Sequence, residues 1–167
     1  GNNLILKRMK RRHTREQAID LCKKIRSLRS DVVFGADIIA GFPTETDKMF
    51  QDSLNIIEEC NLTHLHIFPY SIRKNTPAAQ MPQIQKDIIK KRARTLRERG
   101  DKQMQIYLQK QIGNSAIMLV EQIKENFSYG KSQHFTKIKL SNCIKEGEIV
   151  KCIITDFNKD ILSAQII

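Results

Sequence analysis

A chain of 167 residues with 29 Lys and Arg against 18 Asp and Glu, a formal charge of +11, suits one ordinary domain or two small ones. Its 40% hydrophobic and 28% charged content, with only 7 Gly and 4 Pro, excludes a disordered, collagen-like or coiled-coil chain. No apolar run is long enough to span a bilayer, and charges in the opening GNNLILKRMKRR stand where an export signal needs an apolar core. The first residue is Gly rather than Met, as in a fragment or a processed chain.

The elements alternate through the first two thirds. Thr14 with Gln17 three residues on reads as a capping box, and Ala18, Cys22, Ile25 and Leu28 recur at helical spacing behind it. Residues 32–41 (VVFGADIIAG) are apolar and β-branched, the pattern of a strand buried on both faces in a parallel sheet. Phe42 to Thr46 form the turn, with Thr44 or Thr46 able to cap the next helix, whose apolar face is Met49, Phe50, Leu54, Ile57 and Cys60. A second strand runs from Thr63 to about Tyr70, with Leu65 and Ile67 on one side and Pro69 expected to end it. A proline-punctuated loop follows, and then a long basic helix from about Ile84 to Lys110, interrupted or bent near Gly100. This order is that of βα units around a parallel sheet.

From Ile112 the pattern changes to short apolar runs separated by turn signals: AIMLVEQ, FTKIKL, GEIVKCIITDF and ILSAQII, with Asn158 to Asp160 as a tight hairpin turn. Four or five short strands in so few residues read as a small antiparallel barrel. The expected division is therefore 1–110, an incomplete α/β domain, and 111–167, all-β. Two strands close no barrel, since a complete (β/α)₈ domain takes roughly 200 residues or more. An apolar strand edge left open invites a further chain to complete the sheet.

Charge follows the same division. Residues 1–110 hold 22 Lys and Arg and 12 Asp and Glu, whereas residues 111–167 hold 7 and 6. Basic charge on one half is the footprint of a polyanion partner, because Lys and Arg that neutralise phosphates release counterions. The cysteines, Cys22, Cys60, Cys143 and Cys152, show no CxxC pair and no metal-ligand spacing. They read as ordinary thiols of a reduced, cytoplasmic protein with no metal site of its own.

Longer strings carry a resemblance. GADIIAGFPTET (Gly35 to Thr46) and HLHIFPYSIRKNTPAAQM (His64 to Met81) resemble the later strands of a radical S-adenosylmethionine (SAM) domain, and more narrowly the tRNA methylthiotransferases. The opening Gly1 to Thr14 is similar to a mid-domain stretch of that family, and the tail from about Met104 resembles the TRAM domain that closes these enzymes. FPYS, TPAA and the GEIVKCIITDF tail look most like the branch that modifies threonylcarbamoyladenosine at tRNA position 37. The resemblance implies a fold of α/β plus all-β class, a partial (β/α) radical-SAM barrel followed by a small antiparallel, OB-like TRAM barrel. It implies SAM, two [4Fe-4S] clusters in the complete enzyme, a 2-methylthio group placed on adenosine, and tRNA as partner. The family's cluster cysteines, including its CxxxCxxC, lie upstream of anything in this sequence, so this chain has no catalytic residue to assign. It needs an amino-terminal, cluster-bearing portion. Without one it reads as a non-catalytic RNA-binding remnant or, failing that, a scaffold whose open edge recruits another protein.

Site residues follow from position and resemblance together. Gly41, Phe42, Pro43 and Glu45 stand at the carboxyl end of the first strand, where open α/β sheets bind ligands, and by resemblance they help hold SAM. Phe68, Pro69, Tyr70 and Ser71 end the second strand, and by resemblance their backbone lies beside the adenine. The bland alternatives are a tight strand-to-helix turn with a dipole-favoured Glu45, and ordinary aromatic packing. His64 and His66 read as hydrogen-bonded structure rather than ligands. RNA contacts are expected from Arg8, Arg11 and Arg12, from Lys91 and Arg94 on the long helix, and from Lys131, Phe135 and Lys137 in the tail, where aromatic and basic residues interleave.

Overall fold

The structure is a computed structural model that describes residues 1–167, and the chain forms two compact units, Gly1–Gln103 and Met104–Ile167. The first unit begins with a short helix the sequence pattern does not announce, α1 (Asn3–Arg8). Asn2 caps it by accepting from the Leu4 and Ile5 N–H groups. The capping box of Thr14 and Gln17 then starts α2 (Arg15–Leu28). Strand β1 (Phe34–Ala40), α3 (Asp47–Glu59) and β2 (Leu62–Pro69) complete the expected alternation. Thr46, not Thr44, caps α3, with its side chain accepting from Met49 N–H. β1 and β2 pair in parallel from Phe34↔Leu62 to Ala40↔Pro69.

One face of this two-stranded sheet enters the core. Ala36, Ile38 and Ala40 of β1 and Leu62, Leu65 and Ile67 of β2 join Leu54, Ile57 and Cys60 of α3 and Ala93 and Leu96 of the long helix. The other face is not buried as the apolar run suggests: Gly35 and Asp37 are exposed. Its alternate residues face α1 and two open cavities instead of a second helical layer.

The long helix, α4 (Lys86–Gln111), runs without interruption past Gly100. That glycine is buried, and a Cβ there would stand 2.9 Å from Leu65 Cδ1, so Gly100 serves a close approach to β2 rather than a break. Nor is the basic character of α4 solvated all round. Arg92 is buried, with its side chain 8% exposed, and reaches the turn after β1. Its guanidinium donates to Glu45 O at 2.8 Å, to Glu45 Oε2 at 2.9 Å and to Asp47 Oδ1 at 2.8 Å.

The second unit is a closed five-stranded barrel: β3 (Ser115–Lys124), β4 (Phe127–Ser132), β5 (Lys137–Leu140), β6 (Ile149–Asn158) and β7 (Ile161–Ile166), in the order β3-β4-β5-β7-β6. It is not wholly antiparallel. β5 and β7 pair in parallel, Ile138 opposite Leu162, which gives the strand order of an OB fold and fits a TRAM-like barrel. Inward residues alternate with outward ones along each strand. Met118, Val120, Ile138, Leu140, Cys152, Ile154 and Leu162 fill the lumen, with Met104, Tyr107 and Leu108 packed on the same core. Gly130 is required there, because a Cβ would lie 1.9 Å from Leu119 O.

Burial raises the Glu45 carboxyl above its ordinary value, opposed by the Arg92 charge and the Gly41 N–H that Glu45 accepts. A folded value above the unfolded one means that this group lowers stability as pH rises through the interval. Removing its partner strands a buried carboxylate, so Arg92→Met should cost about 3–5 kcal/mol at neutral pH. That cost should shrink on acidification, as Glu45 takes up its proton. Denaturant unfolding of both proteins from pH 7 to pH 4 checks this; a cost independent of pH would refute it.

Candidate functional site

The ends of β1 and β2 meet at one side of the first unit. Tyr70 N–H donates to Ala40 O at 2.9 Å, carrying the parallel ladder one residue past Pro69. Beyond Ala40 the chain turns through Gly41, whose φ of 72° lies in the left-handed region that glycine tolerates. The close approach this glycine permits is to α4: a Cβ would stand 2.7 Å from Ile89 Cγ1. Pro43 is fully buried, and Glu45, its side chain 1% exposed, is turned back onto Gly41 N–H and Arg92. These three residues shape the turn from behind. Glu45 also borders a second cavity of about 620 Å³ with His64, His66 and Gly35.

Phe42, Phe68, Pro69, Tyr70 and Ser71, by contrast, line one cavity of about 540 Å³, within the range of small-molecule sites. The Phe42 and Tyr70 rings meet edge to face, with centroids 5.5 Å apart. Phe68 is half exposed. The Tyr70 hydroxyl is buried and has no hydrogen-bond partner in the chain, which is costly unless a ligand supplies one.

Basic side chains line the same cavity. Arg8, Lys10 and Arg11 come from the end of α1 and the turn after it, and Arg73 from the loop after β2; Asp37 is the one carboxylate among the lining residues. Arg8 Nη1 donates to Thr44 Oγ1, which itself donates to Pro43 O, so the β1–α3 turn fixes that side chain. Arg12 is exposed and lines neither cavity. Lys91 and Arg94 are exposed on α4, with Arg94 3.2 Å from Glu98 one turn on. Lys10 stands in the same basic run as Arg8 in the sequence, whereas Arg73, which the sequence reading missed, reaches this group only through the fold.

On the barrel, the outward side of β4 and β5 carries Phe127, Tyr129, Lys131, Lys137 and Lys139. Lys139 Nζ lies 3.6 Å from the Phe127 ring centroid and 5.8 Å from that of Tyr129. Cation–π contact of this kind holds a charge over an aromatic surface. Phe135 is neither core nor strand. It sits in the β4–β5 turn at φ 60° and is 77% exposed. Lys131 pairs with Glu121 at 3.4 Å, and Lys137 with Asp160 at 2.7 Å, whose carboxyl its hydrogen bond holds below the ordinary range. Such exposed pairs are weak and exchange readily for phosphate.

Iron–sulfur ligation does not fit this chain. No three His, Cys, Asp or Glu side chains come together as a metal site. Cys60 is buried at the end of α3 beside Cys22, its thiol pushed up to about 12 by burial and that neighbour. Cys152 is inside the barrel and Cys143 outside it.

Comparison with known proteins gives this arrangement a family. No protein-family model matches the chain. Curated proteins match it over most of its length, and they are tRNA-modifying enzymes that add methylthio groups. Threonylcarbamoyladenosine tRNA methylthiotransferase MtaB of Rickettsia prowazekii is 45% identical over 151 residues, 90% of this chain and 35% of that protein. MtaB of Chlamydia pneumoniae is 35% identical over 139 residues, covering 83% and 33%. The tRNA-2-methylthio-N(6)-dimethylallyladenosine synthase of Roseobacter denitrificans is 32% identical over 167 residues, covering 98% and 38%. The chain is thus a homologue of the tRNA methylthiotransferases over about nine tenths of its length, and it spans about a third of theirs.

The orphan hydroxyl supplies a test of the cavity's geometry. Tyr70→Phe should leave stability unchanged or raise it by up to about 1 kcal/mol, since a buried group without a partner is removed. A thermal unfolding midpoint lowered by the change would mean that the hydroxyl already has a partner.

Proposed function

We propose that the chain is the carboxyl-terminal portion of a tRNA methylthiotransferase that places a 2-methylthio group on a modified adenosine at position 37, most nearly of the threonylcarbamoyladenosine branch. The observation that carries this reading is the 45% identity to MtaB over 90% of the chain. In it, residues 1–110 form the later part of a radical-SAM (β/α) barrel, and 111–167 form a TRAM domain that docks tRNA. A separate amino-terminal portion, on the same polypeptide or another, supplies the cluster ligands that these cysteines do not.

The aromatic side of the 540 Å³ cavity supports a cofactor role. Phe42, Phe68 and Tyr70 offer aromatic surface with one unpartnered hydroxyl, which suits the adenine of SAM, and Pro69 and Ser71 border it. Gly41, Pro43 and Glu45 act behind that surface by holding the turn in place. When bound in the complete enzyme, SAM supplies the radical chemistry and the methyl group. This chain's part is to orient it and keep one side of the site dry.

On the barrel, Lys131, Lys137 and Lys139 with Phe127, Tyr129 and Phe135 combine cationic and stacking groups on the strand pair that OB folds use for oligonucleotides. Arg8, Arg11, Arg12, Lys91 and Arg94 add phosphate contacts from the first unit. The second reading, a non-catalytic RNA-binding remnant, is favoured by the scattered cysteines alone.

Filter binding of the whole chain to unmodified tRNA tests the RNA role. Phe135→Ala should weaken binding about tenfold or more, in line with roughly 1–3 kcal/mol for a base–aromatic stack. Lys139→Ala should lower the slope of log K against log salt by about one. Affinity and slope both unchanged would remove the barrel face from RNA binding.

A further inference from the structure

The cations that line the first cavity do not match the cofactor proposed for its aromatic residues. SAM carries a sulfonium and an ammonium against one carboxylate, and four cations facing one aspartate would repel it. The ion pairs of this unit join other residues, Arg15 with Glu59, Arg92 with Glu45 and Asp47, Arg29 with Asp31, Arg94 with Glu98, and Arg99 with Glu58. Arg8, Lys10, Arg11 and Arg73 are brought from two separate segments to one hollow with Asp37 alone to balance them. The geometry is also held rather than incidental. Arg8 is tied to Thr44, and Lys10 occupies a left-handed turn (φ 56°) whose N–H donates to Lys7 O while Arg11 N–H donates to Leu6 O.

We infer that Arg8, Lys10, Arg11 and Arg73 form a phosphate site that holds a backbone phosphodiester of the RNA strand beside the aromatic residues. Guanidinium groups suit this, since a planar fork of donors meets two phosphate oxygens at once. The cavity is then divided by charge. A planar ring lies against Phe42, Phe68 and Tyr70, and a phosphate lies against the four cations, so the strand is registered at the same place where the cofactor is oriented. The inference deepens the reading of the chain as part of a tRNA-modifying enzyme and rests on it for the identity of the strand.

Isothermal titration of the whole chain at low salt with four small probes tests the site apart from the barrel face. The probes are adenosine, adenosine 5′-monophosphate, the dinucleotide ApA and SAM. ApA and the monophosphate should each bind at least tenfold more tightly than adenosine, and the advantage should vanish in high salt. SAM should show no such salt-sensitive advantage. Arg73→Ala should remove most of the preference, and Arg73→Lys should restore part of it. Both change an exposed loop residue, and unchanged thermal unfolding would exclude a folding defect.

Equal binding of adenosine, the monophosphate and ApA would overturn the site. A preference for the monophosphate without one for ApA would overturn the strand assignment and indicate a free nucleotide. Arg11→Ala gives a second check, because it too should erase the preference if the four cations act together. The larger reading fails separately, through co-expression with a cluster-bearing portion that yields no modified tRNA.

Discussion

Arg92 is the constraint on which the first unit depends. One guanidinium, buried in the middle of a basic helix, bonds the main chain and side chain of Glu45 and the side chain of Asp47. Glu45 in turn accepts from Gly41 N–H, so the turn after β1, the start of α3 and the side of α4 are held at one point. Two charges taken out of water are tolerated only when every partner is present, which makes the arrangement stringent rather than merely stabilising. Its consequence is positional. With Gly41 pressed against Ile89, Phe42 is directed to the cavity and meets Tyr70, and Thr44 is left to hold Arg8.

The barrel meets a different constraint, closure without exposed edges. The parallel pairing of β5 with β7 closes the sheet and leaves β4 and β5 with one face in the core and one outside. The outward face collects two aromatic rings and three lysines, and the β4–β5 turn adds an exposed phenylalanine. Exposed aromatic surface costs solubility unless something uses it, and flanking charge makes a stacked base a suitable occupant.

Much of this was legible in the sequence. The β-branched run before Gly41, the capping box at Thr14 and the apolar spacing of α3 carry their structures locally, and the alternating runs after Ile112 announce strands. What was not legible depends on distant partners. The apolar run of β1 reads as doubly buried, yet one face meets cavities because no second helical layer packs on it. Lys90, Lys91 and Arg92 look alike in sequence, and only the position of Glu45 makes one of them buried. Strand β4 escaped notice because Gly130 interrupts its alternation, though that glycine is demanded by Leu119 O. The β3–β4 turn was hidden because Glu125 and Asn126 take positive φ with no glycine between the strands. Of the site residues, Phe42, Phe68 and Tyr70 line one cavity, and Arg73 joins Arg8 there only through the fold.

In the proposed reading both units are parts of a longer enzyme whose cluster ligands come from another portion. Anaerobic co-expression of this chain with the cluster-bearing portion of a tRNA methylthiotransferase, followed by mass spectrometry of tRNA nucleosides and iron analysis, tests that claim most directly. The account predicts bound iron and 2-methylthio-adenosine that disappears when this chain is omitted. Modified tRNA made equally well without the chain, or none made with both portions folded and iron-loaded, would contradict it.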